Sequence, residues 1–262
     1  RRDVVWEAAG PGGGWSSPVV AGGVIYLTTA IAKGGERPGA DRDLCALAME
    51  ASTGKQLWQT RIFTQLDKDA PKIHKKNSHA SPTPIVEENR LYVHFGHMGT
   101  ACLDAVTGSI LWQTQEHAYE PVHGNGGSPV LTGDLLVFNA DAAASPAVIA
   151  LDKQSGKLRW KTARESDAKR KFSFCTPLVI EADGRKQLIT PGSGVVQALN
   201  PETGEEIWRV TYDQGYSVVP RPVFADGLLY VCTGYDQPSL LAIRVDGDSK
   251  GDVTRSHLAW RL

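Results

Sequence analysis

The sequence predicts an all-β protein, a β-propeller built of four-stranded antiparallel blades, and two observations lead to this prediction. Six of the seven tryptophans recur at intervals of 48 to 54 residues, at Trp6, Trp58, Trp112, Trp160, Trp208 and Trp260. Between them lie short runs rich in β-branched residues, bounded by Gly, Pro, Asn and Asp, and no segment shows a helical period. A period near 50 residues is typical of a propeller blade and too long for a β-helix.

Each of the four middle tryptophans closes a common turn pattern in which a glycine stands four positions earlier. An Asp, Asn or Glu opens the turn, Thr or Ser precedes the glycine, and the glycine supplies a positive φ. The pattern predicts a hairpin between the third and fourth strands of each repeat. The glycine and tryptophan pairs are Gly54 and Trp58, Gly108 and Trp112, Gly156 and Trp160, and Gly204 and Trp208.

A second hairpin precedes each of these turns, and it begins near a proline. The prolines are Pro18, Pro84, Pro129, Pro177 and Pro222. Each repeat therefore has four strands, which we call A to D. The predicted blades span about residues 15–60, 80–114, 126–162, 174–210 and 217–262, and residues 3–8 are predicted to be the D strand of a preceding blade. The fifth blade lacks the Thr-Gly turn and carries a longer C–D loop before Trp260.

Composition sets limits on the partners of this protein. The 262 residues carry a net charge of -1, so no global charge favours nucleic acid or an anionic membrane. No window reaches the roughly 18 apolar residues of a membrane span, so we expect a soluble chain. The four cysteines are far apart in sequence and form no CxxC or adjacent pair, which predicts buried free thiols.

The Ala-Leu-Asp-x-x-Thr-Gly-x-x-x-Trp element, read with variations at residues 48–58, 102–112, 150–160 and 198–208, resembles the tryptophan-docking repeat of the pyrroloquinoline-quinone-like, or quinoprotein-like, propeller family. Quinoprotein alcohol dehydrogenases and the outer-membrane β-barrel assembly lipoprotein share this repeat. Residues 92–104 and 215–222 also resemble large propeller proteins of planctomycete-like bacteria. The resemblance implies that each indole packs between neighbouring blades. It also implies a bacterial periplasmic, envelope or secreted location, and a ring of seven or eight blades with further sequence beyond both ends.

The candidate binding residues lie in the connections that propellers gather around the mouth of their central channel. These are the D–A and B–C connections, whereas the A–B and C–D turns lie on the opposite face. Convergent polar groups at such a mouth are typical of a ligand pocket. The alternative is that these side chains satisfy the backbone groups of adjacent loops. The candidates are Trp15, His79, His97, His123, Asn125, Asp141, Arg221 and Tyr235.

Other patterns in the same loops leave two alternatives open. The histidines form neither HExxH nor another zinc pattern, so we predict no metal, although a site assembled across blades stays open. Trp15 is the one tryptophan outside the series, and it either stacks on a ligand ring or packs in the core. Two basic runs, residues 72–76 and 169–171, favour an acidic partner or are simply solvated.

The sequence favours a non-catalytic scaffold that binds a protein or small ligand at the channel mouth, without a cofactor. It has no GxSxG, Walker loop or paired Cys-His motif. The alternative is a pyrroloquinoline-quinone-dependent dehydrogenase. The resemblance implies that such enzymes hold the quinone between a tryptophan and a disulfide of adjacent cysteines, beside calcium. Adjacent cysteines do not occur here, and Asn139 and Asp141 are the candidate calcium ligands. A glycan-binding module, using Trp15 and the histidines, is a second alternative.

Overall fold

The predicted all-β propeller fold is confirmed. The structure is a computed structural model that describes residues 3–37 and 39–262, and its strands form five sheets of antiparallel A to D strands. The chain divides into two compact units, one ending at Asn125 and the other running from Gly126 to Leu262. No helix in the described residues is long and apolar enough to cross a membrane.

The first unit contains two sheets, each ordered as the strands occur in the chain. The first sheet consists of β1 (Val19–Ala21), β2 (Val24–Ala32), β3 (Arg42–Glu50) and β4 (Gln56–Gln65). The second consists of β5 (Ile85–Glu87), β6 (Arg90–His94), β7 (Thr100–Asp104) and β8 (Ile110–Thr114). Side chains of both sheets form one apolar core, which includes Leu44, Phe63 and Leu91.

The second unit contains three sheets. The third sheet consists of β9 (Val130–Thr132), β10 (Leu135–Ala140), β11 (Ala147–Asp152) and β12 (Leu158–Ala163). The fourth consists of β13 (Leu178–Ala182), β14 (Arg185–Gly192), β15 (Val195–Leu199) and β16 (Glu206–Thr211), extended by the short β20 (Gly251–Asp252). The fifth consists of β17 (Val223–Ala225), β18 (Leu228–Cys232), β19 (Leu240–Arg244) and β21 (Leu258–Arg261), and helix α1 (Thr254–His257) precedes β21.

The C–D turns explain why glycine recurs before each tryptophan. Asp104 accepts hydrogen bonds from the backbone N–H groups of Val106 and Thr107, and Gly108 then takes a φ of 74°. Glycine is also needed for space, because a Cβ at Gly108 would lie 2.7 Å from the Trp58 ring. The Trp58 indole donates to the Ala105 carbonyl at 3.1 Å, so the indole of one sheet rests on the turn of the next.

Trp6 makes the same kind of contact although residues 4–10 form no strand. Its indole donates to the Ala51 carbonyl at 2.8 Å and lies against Gly54. Trp160 repeats the arrangement in the second unit, where it donates to the Pro201 carbonyl at 3.1 Å. That residues 3–8 are the D strand of a preceding blade stays a prediction.

Every D strand carries a β-bulge at the residue before its tryptophan. In the third sheet Ala150 opposes Trp160, but the next residue, Leu151, opposes Leu158, so Arg159 has no opposite residue. The same irregularity falls in the other four sheets. A bulge bends the strand and changes where the next side chain points. The repeated bulge therefore helps to set the direction of each indole.

The prediction of free thiols is confirmed. Cys45, Cys102 and Cys175 are buried and Cys232 is half-buried, and none is in a disulfide. Burial raises the pKa of Cys45 to about 11 and that of Cys175 to about 12. Cys45 and Cys175 are therefore protonated at neutral pH and behave as small core side chains.

Candidate functional site

The first unit contains a polar group built around the half-buried His97, which we call the histidine cluster: Gln65, His97, Tyr119 and Asn125. The Gln65 side-chain amide lies 2.9 Å from His97 Nε2, and Asn125 Nδ2 lies 3.1 Å from His97 Nδ1. The Tyr119 hydroxyl donates to Asn125 Oδ1 at 2.7 Å. The cluster thus joins the end of β4, the turn between β6 and β7, and the chain following β8.

Local backbone geometry brings His97 and Asn125 together. Gly96 begins the short 3-10 turn that carries His97, and it adopts a φ of 57°. A Cβ at Gly96 would lie 1.7 Å from the Asn125 amide, so only glycine leaves room for this side chain. Asn125 Nδ2 also lies 3.3 Å from the Phe95 carbonyl, to which it donates.

Burial lowers the pKa of three histidines in this unit, His79, His94 and His97. Burial, with a smaller contribution from His79, lowers the pKa of His97 to about 4. Burial, with a smaller contribution from His97, lowers the pKa of His94 to about 3. Burial and the nearby Arg42 guanidinium also lower the pKa of His79. At neutral pH the cluster therefore carries no charge that would attract an ionic ligand.

The structure leaves two other candidates of the first unit at the surface. Trp15 is 58% exposed, and its backbone N–H donates to the Ala80 carbonyl at 3.0 Å. His123 is exposed with a φ of 66°, and its ring lies 5.3 Å from that of His74. His79 is half-buried, and its Nδ1 makes no hydrogen bond to a described residue. His97 and Asn125 are thus the two candidates in direct contact here.

The second unit contains a buried ion pair and its neighbours, which we call the arginine cluster: Asn139, Asp141, Arg164, Thr190 and Gln197. Arg164 Nε donates to Asp141 Oδ1 at 2.8 Å, and both side chains are almost completely buried. The guanidinium also donates to Asn139 Oδ1 at 3.1 Å, to the Thr190 carbonyl at 2.5 Å and to Gln197 Oε1 at 3.3 Å. Arg164 therefore links the third sheet to the fourth.

The Asp141 carboxylate is only partly satisfied by this arrangement. Its Oδ2 is buried and has no hydrogen-bond partner among the described residues. Burial raises the pKa of this carboxyl, and the Arg164 guanidinium opposes that shift. Sequence reasoning proposed Asp141 as a ligand-binding group, whereas its charge is already opposed by Arg164. Arg164 itself was missed, because an arginine directly after a strand looks like an ordinary surface residue.

The residues present do not fit the calcium and quinone of a quinoprotein dehydrogenase. Asn139 Oδ1 and Asp141 Oδ1, the oxygens suggested as calcium ligands, already accept hydrogen bonds from a guanidinium that carries the positive charge. The four cysteines are free thiols, so they supply no disulfide. Among residues 3–37 and 39–262, no three His, Cys, Asp or Glu side chains are arranged to hold a metal ion.

An aromatic surface lies on the loops of the fourth and fifth sheets, and it consists of Arg170, Phe172, Phe174, Tyr216 and Tyr235. The Phe172 ring lies 6.0 Å from Phe174 and 5.6 Å from Tyr216, and the Tyr216 ring lies 5.7 Å from Tyr235. The Arg170 guanidinium stacks over Tyr216 at 4.8 Å. Tyr235 ends the row and is 69% exposed.

Backbone hydrogen bonds hold the aromatic surface in place. Tyr235 N–H donates to the Tyr216 carbonyl at 2.7 Å, and Phe174 N–H donates to the Val218 carbonyl at 2.8 Å. Ser217 and Asp236 adopt φ angles of 60° and 81°, which cost energy in residues other than glycine. Of the sequence candidates in this unit, Tyr235 belongs to this surface and Arg221 is exposed.

A groove of about 660 Å³ lies between the A–B and C–D turns of the third and fourth sheets. Its charged residues balance, since Arg159, Arg185 and Lys186 face Asp134, Glu181 and Glu202. The groove therefore favours neither sign of ligand charge. The sequence predicted only hairpins at these A–B and C–D turns and no groove between them.

Comparison with known proteins finds two kinds of relative. The outer membrane protein assembly factor BamB of Burkholderia pseudomallei is 26% identical over 83% of this chain and 48% of its own length. The quinoprotein ethanol dehydrogenase of Pseudomonas aeruginosa is 31% identical over 50% of this chain and 23% of its own length. The chain thus spans about half, or less, of the length of these relatives.

Solved structures share the fold at low identity. BamB from Moraxella catarrhalis matches 96% of this chain and 63% of its own, with a TM-score of 0.61 and 16% identity. The quinohemoprotein alcohol dehydrogenase ADHIIG from Pseudomonas putida matches 97% of this chain and 42% of its own, with a TM-score of 0.56 and 15% identity. A protein-family model also matches most of this chain. Because the model described as outer membrane protein assembly factor BamB matches residues 3–179 and 192–249, the protein belongs to that family of quinoprotein-like propellers.

Proposed function

We propose that this protein is a non-catalytic propeller scaffold that binds another protein through the aromatic surface of its second unit. The observation that carries the proposal is the row of aromatic rings that ends at the exposed Tyr235, with Arg170 stacked on Tyr216. Tyrosine and arginine are among the side chains most enriched in the residues that dominate the binding energy of protein interfaces.

The surroundings of the aromatic surface indicate the chemistry of the partner. Lys169, Arg170 and Lys171 precede Phe172, and Arg221 is exposed in the loop that follows Tyr216. These cations attract an acidic segment and speed its encounter with the surface. Because the loops are already fixed by backbone hydrogen bonds, binding costs little ordering entropy on this side.

The polar clusters support a scaffold more than an enzyme. In each cluster the groups that resemble catalytic or ligand-binding residues bond mainly to one another, as His97 does to Gln65 and Asn125 and as Asp141 does to Arg164. They act as links between neighbouring sheets. The relatives named as assembly factors of outer membrane proteins make a bacterial envelope or periplasmic location part of the proposal.

A peptide-display screen tests the proposal. Disordered peptides displayed on phage are selected against the immobilised protein, and the affinity of each selected peptide is measured by fluorescence anisotropy. We expect acidic peptides with aromatic or aliphatic residues, and we expect Tyr235→Ala to weaken their binding by about tenfold, equivalent to about 1.4 kcal/mol. Trp15→Ala is the matched control, because it removes another exposed aromatic side chain.

The result that overturns the proposal is binding that neither Tyr235→Ala nor Arg170→Ala changes. Two further arms test the alternatives. A stoichiometric change in visible absorbance on adding pyrroloquinoline quinone with calcium would favour a dehydrogenase. A glycan-array signal that is lost in Trp15→Ala would favour a glycan-binding module.

A further inference from the structure

The fourth sheet shows how the outer edge of a blade in this protein accepts an extra strand. β20, from the long C–D loop of the fifth sheet, pairs in parallel with β16, so that Gly251 opposes Trp208 and Asp252 opposes Arg209. Val253 N–H donates to the Arg209 carbonyl at 2.9 Å. Thr211 N–H donates to Thr254 Oγ1, also at 2.9 Å. Main-chain pairing of this kind is the basis of strand addition between polypeptides.

Charge and apolar burial both support the added strand. Hydrogen bonds from Thr254, and more weakly the Arg209 guanidinium, lower the pKa of Asp252. Arg209 also pairs with Glu206 of its own strand at 2.5 Å, so its attraction for Asp252 is a secondary contribution. Val245 and Val253 join the core cluster that contains Ile207, which is only 5% exposed. The features of the added strand are thus an aspartate opposite a cation and aliphatic residues nearby.

The outer edge of β12 in the third sheet carries a cation at the position of Arg209, and Leu158 at the position of Glu206, without an added strand. Among the described residues β12 has one strand neighbour, β11. Lys161 follows Trp160 as Arg209 follows Trp208, and its side chain is exposed. Leu158, two positions before Trp160, is 45% exposed.

At the corresponding positions β4 and β8 carry glutamine, and the arginines of β16 and β21 are each paired with an acidic side chain. Gln59 follows Trp58 in β4, and Gln113 follows Trp112 in β8. Arg261 follows Trp260 in β21, but it already lies 3.2 Å from Asp213 and donates to Ser239. Lys157, Arg159 and Lys161 make β12 the basic edge, with Arg159 also contacting Asp152 at 3.2 Å.

We propose that the outer edge of β12 binds an extended acidic segment of another polypeptide as an added parallel strand. A carboxylate of that segment lies opposite Lys161, as Asp252 lies opposite Arg209, and aliphatic side chains of the segment cover Leu158. Lysines on edge strands also discourage unspecific pairing, and this edge then excludes neutral and basic strands while admitting an acidic one. The proposal rests on β12 and β16, so it does not depend on the aromatic surface.

Backbone-modified peptides test for strand addition directly. The probe is an eight-residue fluorescent peptide of alternating valine and glutamate, and its matched control has lysine in place of glutamate. Two N-methylated versions of the acidic probe carry the methyl groups on alternate residues, so that each blocks the N–H groups of one edge. We expect the acidic probe to bind, the basic probe not to bind, and one N-methylated version to lose binding while the other keeps it.

Point variants locate the site. We expect Lys161→Glu to lower the affinity for the acidic probe at least tenfold, and Lys161→Gln to lower it less. Lys55→Glu, an exposed residue of the first unit with the same change in charge, leaves the affinity unchanged. Thermal melts check that each variant is folded, and hydrogen exchange with the wild-type protein reports slower exchange in residues 158–163 when the probe is bound.

Three results would overturn the proposal. These are an acidic probe that does not bind, equal binding of both N-methylated versions, or an affinity that Lys161→Glu and Lys161→Gln leave unchanged. If instead Tyr235→Ala and not Lys161→Glu removes probe binding, the probe occupies the aromatic surface and the β12 edge is not its site.

Discussion

The histidine cluster of the first unit and the arginine cluster of the second perform the same task with different chemistry. Each connects neighbouring sheets through side chains near the end of a D strand, Gln65 in one case and Arg164 in the other. The first cluster consists of neutral amide, imidazole and phenol groups. The second holds a full ion pair away from water.

The difference shows where each unit is vulnerable. A buried ion pair contributes little net stability when complete, but it leaves an uncompensated charge when one partner is removed. A neutral cluster tolerates loss of a single hydrogen bond better, but protonation of His97 introduces a charge in a desolvated site. We therefore expect the second unit to be sensitive to mutation of its charges and the first to be sensitive to acid.

The largest effect is expected for Arg164→Leu. Asp141 would remain buried without its guanidinium, and such losses lower the free energy of unfolding by about 3–5 kcal/mol. Urea denaturation measures the change. The double variant Arg164→Leu with Asp141→Leu is the control, and we expect it to recover most of the loss because no charge remains buried. Equal destabilisation of the single and double variants would contradict this account.

Acid is expected to act mainly through the first unit. The pKa of His97 is about 4 in the folded protein and about 6.5 when unfolded, so the unfolded state binds more protons between these values. The stability that neutral His97 confers is complete above pH 6.5 and falls by up to about 1.4 kcal/mol per pH unit toward pH 4. Urea midpoints from pH 7 to pH 4 measure this slope.

The stability of His97→Gln should depend less steeply on pH than that of the wild type, because the variant loses the His97 imidazole while keeping a polar side chain. His94, with a pKa of about 3, remains in the variant and keeps part of the slope. Identical slopes in the two proteins would show that His97 is not the group that titrates.

Gly96→Ala is expected to cost about 2 kcal/mol, since alanine at a left-handed φ costs about 1–2 kcal/mol and its Cβ must also displace Asn125. In an Asn125→Ala background the cost of Gly96→Ala should fall to the contribution of the left-handed φ alone. A double-mutant cycle by urea denaturation separates the two parts. If both backgrounds give the same cost, the contact with Asn125 does not matter.

The smallest effects are expected from a matched pair of tyrosine variants. Tyr119→Phe removes the donor to Asn125 Oδ1, and Tyr212→Phe removes the donor to the Gly192 carbonyl. Each should lower the unfolding free energy by about 1 kcal/mol, with Tyr212→Phe costing more because it lies deeper. A larger loss for Tyr119→Phe in thermal melts would reverse this ranking of the two tyrosines.

The strand order of the sheets could be predicted from the sequence because it depends on local turn chemistry. Asp104, Gly108 and Trp112 lie within one hairpin, and the same pattern recurs in the first four repeats. The bulge before each tryptophan left no such signal, since it changes the register without changing residue type. The β20 strand was also missed, because a Gly-Asp pair in a polar loop has no strand pattern of its own.

The candidate site could be predicted less well. His97 and Asn125 were selected and do lie together, whereas Asp141 was selected without Arg164, its partner 23 residues later in the chain. Tyr235 was selected, but Phe172 and Tyr216 were not, because aromatic residues in loops follow no period. These contacts join residues that are distant in sequence, and a single sequence does not encode such distances in any local pattern.

The position of β20 has a consequence for how the protein is made. β16 ends at Thr211, but the strand that covers its edge is completed only at Asp252, about 40 residues later. At a synthesis rate of about 5–20 residues per second, the fourth sheet emerges from the ribosome with an open edge for some seconds. During that interval Arg209 and Ile207 are accessible to any chaperone or neighbouring nascent chain that offers an extended strand.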